Sequence, residues 1–345
     1  MLLPLADRLY RVVYGSLLSR LPESTAVRVG QTLFRALPAA PLRMLALDDP
    51  RLAVEIAGVP LPSPVVLSSM YYDLRILRRA MALGFGAVTT KSITVGPRPG
   101  HPEPNLVRVT TSAGPGLVNC NGFQNPGLEA FRAALPRLRH ERPVIVSVAG
   151  DSPEDYRRLV EALEPQADLV ELNISSPNTR LVYELSGSPA RVQALLALVR
   201  TATRKPLILK LSPDFLDENR RAIVPGALDA GIDALNFGNT RRVEDARLSQ
   251  RAGGLSGPEL FPTVLEAVRE LRRMVGAHVG IIATGGVDTP AKAVAALEAG
   301  ADAVGCFTAF ITRGPTFPRR VALALVQALE QRAVRRLADL RGAPA

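Results

Sequence analysis

The stretch VIVSVAGDSPEDYRRLVEALEPQADLVELNISSPNT, residues 144–179, holds a complete strand–helix–strand unit. Its two ends, VIVSVAG (144–150) and LVELNIS (169–175), are short, rich in β-branched residues and do not alternate. That is the pattern of strands covered on both faces. Between them SPEDYRRLVEALE is amphipathic. Ser152 followed by Pro153 is a helix start, a hydroxyl for an orphan N–H and a proline where no N–H is needed. The second strand then runs, with no turn signal, into Asn173, Ser175, Ser176, Asn178 and Thr179, interrupted by Pro177. Uncharged amides and hydroxyls therefore crowd one strand end.

The same unit recurs outward in both directions. Further apolar runs are VVLSS (65–69), AVTTKS (87–92), LILKLSP (207–213), ALNFGNT (234–240), GIIATGG (280–286) and AVGCFTA (303–309). Segments such as DLRILRRAMALG and TPAKAVAALEAG separate them, with Thr289 as a helix start and Gly84 and Gly300 as stops. Eight such units predict an α/β fold, a closed (β/α)8 TIM barrel, over residues 48–345. A doubly wound open sheet is the alternative.

Residues 1–47 lie outside the repeat and predict two short helices around LADRLYRVVYGSLL and TAVRVGQTLFRAL, parted by Pro22. In the second, Val29, Leu33, Phe34 and Leu37 share a face. LAVEIAGVPL (52–61) predicts a strand pair. Residues 94–125 read as a long loop rich in Pro, Gly and Asn, a length that usually signals function or disorder.

Composition excludes several classes. The chain is 47% hydrophobic and 21% charged, and holds two cysteines, too few for a disulfide scaffold or a four-cysteine zinc site. No apolar run reaches the roughly 20 residues of a membrane span, and MLLPLADRLYR is not a secretory signal. The formal charge is +10, almost all of it arginine. There is no tryptophan and the other aromatics are dispersed, so nothing behind that charge reads as a nucleic-acid surface. Among 42 basic residues, four are lysines: Lys91, Lys205, Lys210 and Lys292.

In a barrel of this kind the active site lies at the carboxyl ends of the strands. Those ends carry Lys91 and Ser92; Asn173, Ser175 and Ser176; Asn236, Asn239 and Thr240; Gly285 and Gly286; Phe307 and Thr308. Lys210 sits inside LILKLSP, where an inward, anion-binding lysine is favoured over an outward one. GGLSG (253–257) and TGG (284–286), on adjacent loops, suit a phosphate cradle. His101, His140 and His278 are scattered, with no metal cluster and no Ser-His-Asp set. The site suits a bound cofactor that carries the chemistry.

In order along the chain, TTKS, NCNGFQN (119–125), ELNISSPN, LKLSP, GNT, GGLSG, IIATGG and FTAFITRGP resemble the dihydroorotate dehydrogenases, from about residue 50 to about residue 330. The resemblance implies an FMN-dependent TIM-barrel enzyme of pyrimidine biosynthesis that oxidises dihydroorotate to orotate. It implies Ser176 as the base for the C5 proton, with Phe123 and Thr179 on the proton path. It implies that Lys91, Asn119, Asn173, Asn178, Asn239 and Thr240 bind the substrate. The cofactor falls to Ser68, Ser69, Lys210, Gly254, Ser256, Gly257, Gly285, Gly286, Phe307 and Thr308. A serine base and N-terminal helices resemble the quinone-reducing class, which implies a quinone partner and a peripheral site on the cytoplasmic side of the cell membrane. Oligomeric state stays open.

The chain departs from that pattern at SSMYYD (68–73), where Met70 replaces an expected glycine and Tyr71 and Tyr72 follow. Its substrate-side lysine is Lys91, as in the soluble class. After SSPN it reads TRLVYEL (179–185) without the expected Pro-Gly. Two alternatives therefore stand: a related flavin oxidoreductase with another cyclic or unsaturated substrate, or a flavin-binding barrel without turnover.

Overall fold

The computed structural model describes residues 2–138, 141–175, 185, 188–214 and 217–340. Each of the eight apolar runs is a strand: β3 (Val65–Tyr71), β4 (Ala87–Thr90), β7 (Val144–Val148), β8 (Leu169–Asn173), β9 (Leu207–Leu211), β10 (Ala234–Phe237), β13 (Gly280–Thr284) and β14 (Ala303–Cys306). They pair in parallel and close into a barrel in the order β10-β13-β14-β3-β4-β7-β8-β9. The fold is the TIM barrel, and the open sheet is excluded by closure. A hairpin of β1 (Val54–Ile56) and β2 (Val59–Leu61) packs Ile56 and Leu61 against the barrel's inner apolar cluster.

The strand period of two sorts the barrel interior into layers. The lowest layer is apolar and takes one residue from each strand: Val66, Ala87, Ile145, Leu169, Ile208, Ala234, Ile282 and Ala303. Two residues further along every strand the layer turns polar: Ser68, Thr89, Ser147, Glu171, Lys210, Asn236, Thr284 and Gly305. The seven side chains of this second layer are all buried. The outer faces of the strands pack against the helices in one large core.

At the amino ends of the strands a device repeats. Asp168, Asp233 and Asp302 each stand one residue before β8, β10 and β14. Their carboxylates accept the N–H of Val144, Leu207 and Ile281, each at 2.8 Å. Arg200 and Arg272 back the second and third, at 2.6 Å.

Two expectations need correction. Residues 94–125 are not an irregular excursion. Strands β5 (Leu106–Thr111) and β6 (Gly114–Asn119) form an antiparallel hairpin within them. GGLSG is not a loop either, because Ala252–Ser256 is strand β12. With β11 (Arg241–Glu244) these make a four-stranded sheet, β11-β12-β6-β5, above the barrel. LVRVTT alternates as a half-buried strand should, but the surrounding Pro, Gly and Asn hide it. Two glycines sit in β12 because an ideal Cβ on Gly254 would lie 1.9 Å from Thr240 Oγ1, and one on Gly253 would lie 2.6 Å from the Asn119 carbonyl.

The N-terminal segment forms helices α1 (Leu2–Ser16) and α2 (Glu23–Ala36). Arg108 of β5 holds their junction, donating to the carbonyls of Leu18 at 2.9 Å and Leu21 at 3.1 Å. The face shared by Val29, Leu33, Phe34 and Leu37 is divided. Phe34 packs edge-on against Phe310, 5.5 Å between ring centres, while Leu33 and Leu37 are exposed.

Candidate active site

Above the second layer a cavity of about 930 Å³ opens at the carboxyl ends of the strands and runs out between α1, α2 and the barrel. Its inner wall includes Lys91, Asn119, Lys210, Asn239, Thr240 and Ser69; its outer wall includes Leu9, Val13, Leu33 and Phe34. Ser68, Ser256, Gly257, Gly285, Gly286, Phe307 and Thr308 line it as well.

A hydrogen-bonded chain crosses the strand ends. Ser69 meets Ser92 at 3.3 Å, Ser92 meets Ser147 at 2.9 Å, and Ser147 donates to Glu171 at 2.9 Å. Asn173 donates to Ser92 at 2.8 Å and accepts from the Ser175 hydroxyl at 2.7 Å. Asn239 then donates to Ser175 Oγ at 2.7 Å, and its own carbonyl receives the Thr240 N–H at 2.8 Å. Tyr156, from the helix after β7, donates to the Asn173 carbonyl at 2.8 Å. Each amide links two strand ends with its donors and its acceptor on separate atoms, whereas a hydroxyl offers both from one oxygen.

The electrostatics are cationic. Lys210 and Lys91 are both buried. Burial, and then the neighbouring Lys210, lower the Lys91 ammonium to about 8. Glu171, fully buried, lies 3.7 Å from the Lys210 ammonium. Three polar atoms of this region are buried without a partner: Ser68 Oγ, Thr284 Oγ1 and Asn236 Oδ1. Buried polar groups rarely stay unpaired, so these suit a polar ligand. Gly305 faces two of them, and a Cβ there would fall 2.1 Å from Thr284 Oγ1 and 3.0 Å from Ser68 Oγ. On the adjoining loop Thr308 donates to Ser256 at 3.0 Å.

Ser176, Asn178 and Thr179 lie outside the described residues. Phe123 is not among the residues lining the cavity; it holds a left-handed turn at φ 55°, and its carbonyl accepts from Asn125 at 2.6 Å. Gly254 and Asn173 act one step back from the cavity wall. Sequence reading placed Ser92 at a strand end and took Thr284 only within TGG; it missed Ser147, Glu171 and Gly305. Stepping two residues from each apolar barrel position would have found all three. At SSMYYD, Met70 and Tyr71 close strand β3, and the Tyr71 ring meets Phe307 edge-on with 5.4 Å between centres.

The fold and this cationic, amide-rimmed cavity define a TIM barrel whose site suits an anionic, polar ligand. A family model described as dihydroorotate dehydrogenase matches residues 51–329. The chain belongs to the dihydroorotate dehydrogenase family. It is 37% identical over 319 residues to a protein of Thermus thermophilus named dihydroorotate dehydrogenase (quinone), covering 88% of this chain and 90% of that one. It is 33% identical over 300 residues to the catalytic subunit named dihydroorotate dehydrogenase B (NAD(+)) of Pyrococcus horikoshii, covering 84% and 97%. Among solved structures, that of Eimeria tenella DHODH in complex with ferulenol superposes with a TM-score of 0.83 at 28% identity, covering 96% of this chain and 98% of that one.

Proposed function

We propose that this chain is an FMN-dependent dihydroorotate dehydrogenase that passes electrons to a quinone. The observation that carries the reading is one cavity joining a buried two-lysine, amide-rimmed floor to an apolar mouth between the N-terminal helices.

The residues present fit a flavin. Lys210 offers a cation to an electron-rich ring edge. Ser68 and Thr284 hold unpaired hydroxyls, and Gly305 leaves room beside them. Ser256, Gly257, Gly285, Gly286, Phe307 and Thr308 supply the backbone and hydroxyl donors for a phosphate, and Gly254 lets Thr240 close on the sheet behind them. Bound FMN supplies a hydride acceptor. Lys91, Asn119, Asn239 and Thr240 bind and orient the pyrimidine and its carboxylate, Asn173 holds that rim from behind, and Asn178, five positions further along the sequence, adds to the contacts. Ser176 takes the C5 proton as the C6 hydride leaves, with Thr179 and Phe123 on the proton's way out. A substrate turned by an ångström loses this alignment, which is why so many fixed amides surround it.

The first 47 residues carry six arginines against Asp7 and Glu23. On α1, Leu5, Leu9 and Val12 are 64%, 63% and 54% exposed, one turn apart. An apolar stripe flanked by cations suits a helix resting on anionic lipid, and no described helix is long and apolar enough to cross a membrane. The segment therefore acts as a peripheral membrane and quinone entry domain, 1–47, on the catalytic barrel, 48–345, at the cytoplasmic face of the cell membrane.

The test is the visible spectrum of the purified protein, then anaerobic bleaching with dihydroorotate and reoxidation by a quinone or by NAD+. Bleaching and quinone reoxidation support the reading. A yellow protein that dihydroorotate does not bleach, but another cyclic substrate does, transfers the site to that substrate; a colourless protein that takes up no FMN overturns it.

A further inference from the structure

Glu171 is 0% exposed and sits in the polar layer directly beneath the cavity. An ionised carboxylate there is costly unless it is paired and hydrogen-bonded. Both its oxygens are held: Ser147 donates to one at 2.9 Å and Asn236 to the other at 2.6 Å. The Lys210 ammonium stands 3.7 Å away. That is ion-pair distance and beyond a hydrogen bond. The two neutral donors fix the acid, and the acid attracts the lysine without consuming one of its N–H donors. Lys210 lines the cavity, whereas Glu171 does not, so Glu171 reaches a ligand only through the lysine.

Without it the two lysines are unopposed. Lys91 and Lys210 are two buried cations close enough for one to depress the other. A fixed cation beside a site of developing negative charge stabilises that charge. Two of them unopposed would hold a reduced, anionic cofactor so well that handing its electrons on becomes unfavourable. A carboxylate placed behind Lys210 subtracts from that field while leaving the ammonium's donors facing the cavity.

We propose that Glu171 is a positioning residue for Lys210 that keeps the reduction potential of the bound flavin below the value the two lysines alone would give. This rests on the flavin reading above. The neutral variant Glu171→Gln is accommodated: Asn236 Oδ1 has no partner, so turning the Asn236 amide lets it accept from the introduced amide.

The experiment is the flavin midpoint potential of the holoprotein for the parent, Glu171→Gln and Glu171→Asp. In Glu171→Gln the reduced flavin is favoured over the oxidised by about tenfold more than in the parent, an upward shift of about 30 mV for a two-electron couple. Glu171→Asp keeps the charge and stays near the parent. An unmoved potential in Glu171→Gln, or equal shifts in both variants, overturns the role. If Glu171→Gln holds no flavin, isotope-edited infrared of the parent decides: an ionised Glu171 at neutral pH supports the role and a protonated one ends it. A parent that binds no flavin overturns the functional reading and this inference with it; a flavin-loaded parent with an unmoved variant overturns the inference alone.

Discussion

Asn173 donates its side-chain N–H to the Ser92 hydroxyl across 2.8 Å, tying the end of strand β8 to the end of β4. The same amide's oxygen receives Ser175 at 2.7 Å. Asn173→Ala removes one partner from each hydroxyl, at about 0.5–1.5 kcal/mol per lost bond, while Ser92 keeps Ser147 and Ser175 keeps Asn239. We expect a stability loss of about 2 kcal/mol by denaturant titration. We also expect flavin reduction by dihydroorotate to slow by about 100-fold, because the rim that orients the substrate loses its junction. Stopped-flow reduction under anaerobic conditions measures it, and an unchanged rate would remove Asn173 from the site.

Lys91 sets a pH dependence with two opposite signs. Its ammonium is lowered to about 8 in the fold, chiefly by burial, and returns to about 10.4 on unfolding. Between those values the unfolded chain holds more protons than the native one, so the Lys91 contribution to stability rises with pH. Affinity for an anion such as orotate runs the other way and falls as pH climbs through about 8. Titrating orotate into the holoprotein from pH 6.5 to 9.5 should show this fall, and Lys91→Met should bind weakly with a flattened profile.

Gly305→Ala should abolish flavin uptake, since the added methyl falls 2.1 Å from Thr284 Oγ1. Overpacking of this kind costs about 1–3 kcal/mol. Gly15→Ala is the control, because a Cβ there meets nothing within 4 Å. Flavin stoichiometry by absorbance separates the two, and full loading of Gly305→Ala would take the Ser68–Thr284 corner out of the cofactor site.

Leu5 and Leu9 test the membrane assignment. Fully burying a leucine side chain contributes about 1.5–3 kcal/mol, so Leu5→Glu with Leu9→Glu should lower partition onto anionic vesicles at least tenfold. The melting temperature should not move, because both side chains already face solvent. Cosedimentation with vesicles gives the answer. Equal partition of parent and variant would reduce α1 to a cap on the barrel.

The barrel was legible because its signal is local. A strand buried on both faces is a short apolar run wherever it occurs, and LILKLSP and AVGCFTA needed no partner to be recognised. The sheet above it was not, because its decisive pairing joins Asn119 to Gly254, far apart in the chain. Glycine in β12 read as a phosphate-cradling loop, when close approach to Thr240 and Asn119 requires it. Lys210 stood out as one of four lysines. Glu171, one of many acids, is equally buried but becomes visible only when strands are aligned by layer.

The aspartate fastenings at Asp168, Asp233 and Asp302 have a consequence for how such a chain changes over time. They secure neighbouring strands at the end remote from the cavity, each carboxylate accepting a different N–H from the strand beside it. Closure of the cylinder is thus underwritten from below, independently of what occupies the upper rim. Residues of the rim, the SSMYYD corner among them, can then change without unlatching the staves, so a new acceptor or substrate can be accommodated residue by residue at the top while the lower hoop stays shut.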